Sequence, residues 1–185
     1  MDDPRKRRWW WIAFAWGLAE STFFFLVPDV WTSRVVLQDR RSGVLACAAS
    51  VAGALVGGSL LFYLGCHAQV RDGVLAGLDY LPGINPRVIS DAALHLHLLG
   101  PEALFVGAVR GIPYKLYAIQ APGMEFTVFL VVSMLSRAGR FALVTALAWV
   151  IDAKILRNQP LERVLRIHAG SWAVFYLLYF WRMGL

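Results

Sequence analysis

The chain has 185 residues, of which 58 % are hydrophobic and only 16 % charged, with a mean hydropathy of +0.56. That is too apolar for a water-soluble domain of this length and reads as an integral membrane protein, with no room for a separate soluble enzyme. The net charge of +6 would suggest nucleic acid in a soluble protein. Here the basic residues flank apolar segments and act as orientation signals, so nucleic acid is not an expected partner.

Arg5, Lys6, Arg7 and Arg8 precede the first apolar segment and give residues 1–8 a basic, cytoplasmic character. Trp9, Trp10 and Trp11 read as an interfacial anchor rather than the start of a cleaved signal peptide, since cleavage after Gly17-Leu18-Ala19 would detach Glu20 from the segment that positions it. Basic groups also follow the segment, at Arg34, Arg40 and Arg41. Residues 9–30 are therefore expected to enter the membrane and return as a re-entrant hairpin broken at Pro28, because proline lacks an amide donor and turns its predecessor away from the helix. Broken backbone is tolerated at membrane depth only inside protein or beside a wet cavity, so this hairpin predicts a cavity.

Residues 44–65 carry no charge over 22 positions, enough at about 1.5 Å per residue to cross a hydrocarbon core of roughly 30 Å. Gly53, Gly57 and Gly58 within that span offer close packing to another helix. Cys47 and Cys66 lie 19 residues apart on the same expected helix and cannot bridge each other. Residues 66–100 form an outer-side loop, in which Asn85-Pro86 reads as a helix cap and first helical residue. The amphipathic helix that follows is expected to lie along the interface. Residues 101–124 are expected to form a second re-entrant hairpin from the opposite face, broken near Pro113 and Pro122-Gly123. Residues 125–151 form the next transmembrane helix and 152–168 a cytoplasmic loop. Residues 169–185 form a final transmembrane helix that Arg182 and Leu185 extend. The expected fold is thus all-α and integral to the membrane, with two opposed re-entrant helical hairpins, about three transmembrane helices and a weak inverted repeat, an arrangement that places a substrate site near the midplane.

Charges inside such segments mark function. In Gly17-Leu18-Ala19-Glu20 and Gly107-Ala108-Val109-Arg110, a charge follows a glycine by three residues and a proline comes soon after. Glu20 is a candidate for carrying a proton, since burial favours a carboxyl's neutral form, with an ion pair to Arg110 or Lys115 as its alternative. Asp29, after Pro28, either caps the next helix or faces the cavity. Arg110, Lys115, Arg137 and Arg140 are candidates for binding phosphate, with guanidinium groups able to bond it in bidentate fashion. Arg137 and Arg140 share a helix face at i and i+3, and pairing with Glu20 or Asp29 is their alternative role. His95 and His97, two apart, diverge on a helix and cannot jointly hold a metal. No phosphate-binding loop, nucleophile elbow or metalloprotease motif is present, so neither cofactor, metal nor enzyme activity is expected.

Several motifs together resemble the DedA family of membrane proteins (SNARE-associated, or VTT-domain, proteins), in particular its short YqaA-like branch. They are Ala19-Glu20-Ser21-Thr22-Phe23 leading to Pro28-Asp29, then Gly53-Ala54-Leu55-Val56-Gly57-Gly58 continuing to Tyr63-Leu64-Gly65, then Gly111-Ile112-Pro113-Tyr114-Lys115 with Gly123, and lastly Ser136-Arg137-Ala138-Gly139-Arg140-Phe141. The chain departs from the wider family at Ser59, where an acidic residue is common, and in the position of the base at Lys115. The resemblance implies a multi-pass protein of the bacterial inner (plasma) membrane with a cytoplasmic N-terminus. It also implies a lipid transporter or scramblase for phosphate-bearing lipids, a phospholipid or a polyprenyl phosphate such as undecaprenyl phosphate, with coupling to protons and a role in membrane homeostasis. By the same resemblance Glu20 and Asp29 are the proton-sensitive acids, and Arg110 and Lys115 the basic pair around Pro113. A non-transporting scaffold held by an internal salt-bridge network is the alternative, and homo-oligomer formation is left open by the sequence.

Overall fold

Proline, glycine and capping residues decide where the helices of this chain stop. In the computed structural model, which describes residues 4–183, these residues form α-helices and one 3-10 turn and no strand. Helix α1 (Pro4–Thr22) ends where the Thr22 hydroxyl donates to the Leu18 carbonyl and the amides of Phe23 and Phe24 both donate to Ala19. Pro28 then begins α2 (Asp29–Gln38), which stops at the extended residue Asp39. The Asp39 carboxylate accepts from the Ser42 amide at 2.8 Å and caps α3 (Arg40–Gly65).

Helices α1 and α3 run side by side in the same direction, since Ala13 meets Ser50, Phe14 meets Gly53 and Ser21 meets Gly57. The approach is so close that a Cβ on Gly53 would sit 2.0 Å from the Phe14 carbonyl oxygen. Helix α2 returns against α1, tied by hydrogen bonds from the Trp31 indole to the Trp9 carbonyl at 3.0 Å and from the Trp16 indole to the Leu26 carbonyl at 2.9 Å.

After α4 (Ala68–Leu78), the Asn85 side chain accepts from the Val88 amide and Pro86 opens α5 (Pro86–Leu99). Gly100 (φ 55°) turns the chain through a 3-10 segment (Gly100–Glu102) into α6 (Ala103–Arg110). Gly111 ends α6 in the left-handed conformation (φ 78°), where only glycine is unstrained. Beyond Pro113 comes α7 (Tyr114–Gln120), whose residues from Tyr114 to Ile119 are all buried. Their neighbours in the main core include Leu61, Phe62, Ala103, Leu104 and Phe129. Helix α7 runs with α3, because Gly58 meets Tyr114 and Gly65 meets Ile119, whereas α8 (Phe126–Lys154) runs against it, pairing Phe62 with Phe129 and Cys47 with Thr145. Both cysteines are free. Helix α9 (Leu161–Met183) packs chiefly on α2.

Among the described residues, three stretches are long and apolar enough to cross a membrane: Arg40–Gly65, Pro86–Arg110 and Phe126–Lys154. The middle one is folded rather than straight. Arg110 lies 3.3 Å from the His95 ring, although a straight helix would hold residues 15 apart about 22 Å from each other.

Several expected boundaries move. The basic run before Trp9 is helical from Pro4, because lysine and arginine are good helix formers and proline suits a first turn. The expected outer loop holds two helices, α4 and α5. Helix α9 begins at Leu161 rather than residue 169, its start marked by Pro160, so the expected loop 152–168 shrinks to 155–160. It is not among the stretches apolar enough to span, its first turns carrying Glu162, Arg163 and Arg166. The expected extension by the Arg182 side chain and Leu185 lies outside the described residues.

Candidate functional site

The two proline breaks meet. The first unit reaches its break, residues 23–28, travelling with α3. The second reaches residues 111–113 travelling the other way, since α6 opposes α7 and Gly107 packs on Tyr117. Lys115, two residues after Pro113, donates from Nζ to the Phe24 carbonyl at 2.6 Å and so bonds one break to the other. Phe24 can accept because its carbonyl lies outside regular helix, where the usual intrahelical donor is missing.

Around this junction the structure gathers five of the six charged residues singled out from the sequence. Arg137 of α8 pairs with Glu20 of α1, and its guanidinium stacks 4.4 Å over the Tyr114 ring and 5.4 Å over Phe141. Both partners are sealed, Glu20 being 4 % and Arg137 2 % exposed. One turn further, Arg140 donates to Asp29 at 3.0 Å; the carboxylate is enclosed but 28 % of the arginine side chain is open. The i, i+3 spacing of the arginines thus delivers each to a different side of the first break. Ser33 Oγ donates to the Asp29 carbonyl, and Tyr114 donates to Ser133 at 2.9 Å, so the supporting hydroxyls are occupied too.

Three cations face two carboxylates here, which leaves one positive charge over. That charge belongs to Lys115, which among the described residues has no carboxylate within ion-pair distance. A buried ammonium bonded to a single carbonyl still has two N–H donors to direct elsewhere.

Lys115, Arg140, Glu20 and Asp29 line one end of a cavity of about 540 Å³, a size typical of small-molecule sites. Its other walls are mainly apolar and come from α6, α8 and α9, including Val109, Ile112, Val144, Ala148, Ile151 and Phe175. Asp29 Oδ1, buried at this end, has no hydrogen-bond donor among the described residues. A cluster of charge at one end of an oily chamber suits a molecule with an anionic head and an apolar body.

Arg110 does not join the cluster. Its side chain is exposed and donates to His95 Nε2 at 3.3 Å, while His95 Nδ1 bonds the Tyr117 hydroxyl at 2.9 Å. Gly111 accounts for this, since its left-handed turn sends the chain after Arg110 inward and leaves the arginine on the outer side. Arg137, although central, does not line the cavity, so of the four candidate cations only Lys115 and Arg140 face it.

Sequence reasoning missed the contribution of α9. His168, Trp172, Tyr176 and Tyr179 all line the cavity. They stand at i, i+4, i+8 and i+11, the spacing of one helical face, and that periodicity was the available signal. Tyr176 accepts a hydrogen bond from the Val27 amide at 2.9 Å, and Ser33 meets His168 at 2.8 Å and the Trp172 indole at 3.3 Å. These bonds fix α9 against α2 beside Asp29.

The chain matches no family model, no curated protein and no solved structure.

Proposed function

We propose that the protein is a transporter or scramblase of phosphate-bearing lipids in the bacterial inner membrane, with the cavity holding the headgroup. The observation that carries this reading is the surplus cation Lys115, with Arg140 lining the same chamber, whose remaining walls are mainly apolar. A phosphate there gains charge-assisted bonds in a water-poor setting, where such bonds count most. Phospholipid and polyprenyl phosphate share this chemistry.

In this reading the two broken units are re-entrant hairpins from opposite faces, related by a weak inverted repeat, and the N-terminus is cytoplasmic. The cytoplasmic side is then the one bearing Lys6, Arg34, Arg40, Arg41, Lys154 and Arg157. The two acids divide their work. Glu20 and Arg137 form the sealed pair that holds the breaks together. Asp29 and Arg140 form the exchangeable pair, because Arg140 is the partly open member and faces the chamber. Proton binding at Asp29 frees Arg140 to hold phosphate, and proton loss returns it to the carboxylate. The proton therefore acts by giving the two charge states unequal affinity for the anion.

The test is reconstitution in liposomes with fluorescent phosphate lipids. Lys115→Gln and Arg140→Gln each slow translocation at least about tenfold, the scale of one lost charge-assisted bond, while Arg110→Gln leaves it unchanged. Parental rates in both Lys115→Gln and Arg140→Gln overturn the proposal. The enclosure of Glu20 and Arg137 also favours a second reading, a non-transporting scaffold, in which even the parent protein moves no lipid above protein-free liposomes.

A further inference from the structure

Helix α9 is held by little buried surface, as is α5, where only Ala92 is buried. Between Leu161 and Trp181 only Val164 is buried, whereas α7 is buried along nearly its whole length. One side of α9 presents Val174, Leu177, Leu178 and Trp181 outward, all exposed. The other side faces the chamber rather than a packed core, with Ile167 and Phe175 opposite Val144, Ala148 and Ile151 of α8. Its attachments are few: Tyr176 to the Val27 amide, His168 and Trp172 to Ser33, the Phe180 ring edge-on to Phe25, and Tyr179 against Gly83. A helix with few buried apolar contacts and point-like attachments belongs to the least stable part of a fold.

We infer that the apolar wall between α8 and α9 is the binding site for the hydrocarbon chain of the lipid, and that α9 is the gate that swings from α2 to admit the chain sideways from the bilayer. This rests on the phosphate-lipid reading of the charged end. The occupant follows from the chamber's chemistry, since a cationic end joined to an apolar wall complements an anionic head carrying a chain. The volume of about 540 Å³ suits a headgroup and the adjoining part of a chain, not a whole two-chain lipid, so the rest of the molecule must pass out through a wall. The α8–α9 wall offers such a path, because Ile151, Ile167 and Phe175 line the chamber and are also exposed. Tyr176 also links the gate to the site, because its partner Val27 is two residues from Asp29 and lies in the same break. Releasing α9 therefore loosens the segment that holds the exchangeable acid.

The experiment uses the full chain with Cys47 and Cys66 replaced by serine, carrying Ser33→Cys and Trp172→Cys and joined by a short, reducible bifunctional thiol reagent. Two quantities are read: translocation of a long-chain fluorescent phospholipid in liposomes, and binding of glycerol phosphate, a soluble headgroup, in detergent. The inference expects cross-linking to slow translocation at least tenfold, reduction to restore it, and glycerol phosphate binding to stay unchanged throughout. Translocation that is unaffected by the cross-link overturns the gate while leaving the charged site standing. Absence of glycerol phosphate binding before cross-linking, or binding that survives Lys115→Gln, overturns the headgroup site and the gate with it. A second variant guards against misfolding of the double-cysteine chain. Tyr176→Phe keeps the ring and removes one attachment, so it raises translocation about fivefold, the population shift that one hydrogen bond produces; an unchanged or lower rate in a folded Tyr176→Phe protein counts against the gate.

Discussion

Replacing Arg137 by methionine removes one charge of a buried pair and leaves the Glu20 carboxylate, 4 % exposed, without its ion-pair partner. Breaking a buried ion pair from one side costs about 3–5 kcal/mol, because the remaining charge stays desolvated and unpaired. Loss of the guanidinium stacked 4.4 Å over Tyr114 adds about 0.5–2 kcal/mol. For a chain of this size each kcal/mol moves the melting temperature by roughly 2–4 °C, so the summed loss of about 3.5–7 kcal/mol in Arg137→Met should lower it by roughly 7–28 °C. Glu20→Gln should be severe for the mirror reason, since it leaves the Arg137 cation unpaired. The double variant Glu20→Gln with Arg137→Met removes both charges while keeping similar shapes, and should regain most of the loss. The assay is thermal unfolding in detergent of the parent, both single variants and the double, read as a double-mutant cycle. A coupling of at least about 2 kcal/mol is expected for residues in direct contact. Additive effects, with the double variant as unstable as the two singles summed, would refute the reasoning that these side chains hold each other.

Three further outcomes follow. Gly53→Val forces a side chain into the Phe14 carbonyl, where even a Cβ would lie 2.0 Å away; α1 must separate from α3, and the folded yield after detergent extraction should fall by more than half, while Gly73→Val, with open space around it, should keep its yield. Asp29→Asn unlinks Arg140 without opening the sealed pair, so it should cost less stability than Arg137→Met and should flatten the pH dependence of translocation; a preserved pH profile would assign proton sensing elsewhere. Hydrogen bonding to Ser42, helped by Lys6 at 3.3 Å, holds the Asp39 carboxyl below its usual range. With its folded value lowered, the stabilisation is fully present above the ordinary carboxylate range and is lost as pH falls through the folded value. Asp39→Asn should therefore lessen the loss of thermal stability on acidification below about pH 4, and an identical acid response in both proteins would count against this cap.

Much of the local structure was legible in the sequence because it depends on neighbours along the chain. Pro28 and Pro113 each stand directly before the helix that leaves a break, where a missing amide costs nothing, and Asn85-Pro86 starts one by the capping rule, whatever surrounds them. The absence of charge over residues 44–65 reports an apolar surrounding directly. Glu20, Asp29, Lys115, Arg137 and Arg140 could be singled out for the same reason, since a charge in such a run needs a partner wherever it falls. The chamber-lining face of α9 was passed over because its aromatics resemble those of any lipid-facing helix until the chamber before them is seen.

Sequence alone thus determined that this is a helical protein with residues 44–65 and 125–151 in stretches fit to cross a membrane and with charges near its proline breaks. The third apolar stretch among the described residues is Pro86–Arg110 and not the expected 169–185. Tertiary structure decided which charge answers which. Glu20 and Arg137 are separated by 117 residues and Asp29 and Arg140 by 111, and helical period fixes only the face a residue shows, not the segment that arrives opposite it. Glycines that let α1 lie against α3, and a left-handed Gly111 that turns Arg110 outward while Lys115 goes in, settled those meetings. The surplus charge at Lys115 exists only because packing spent the two carboxylates on the two arginines.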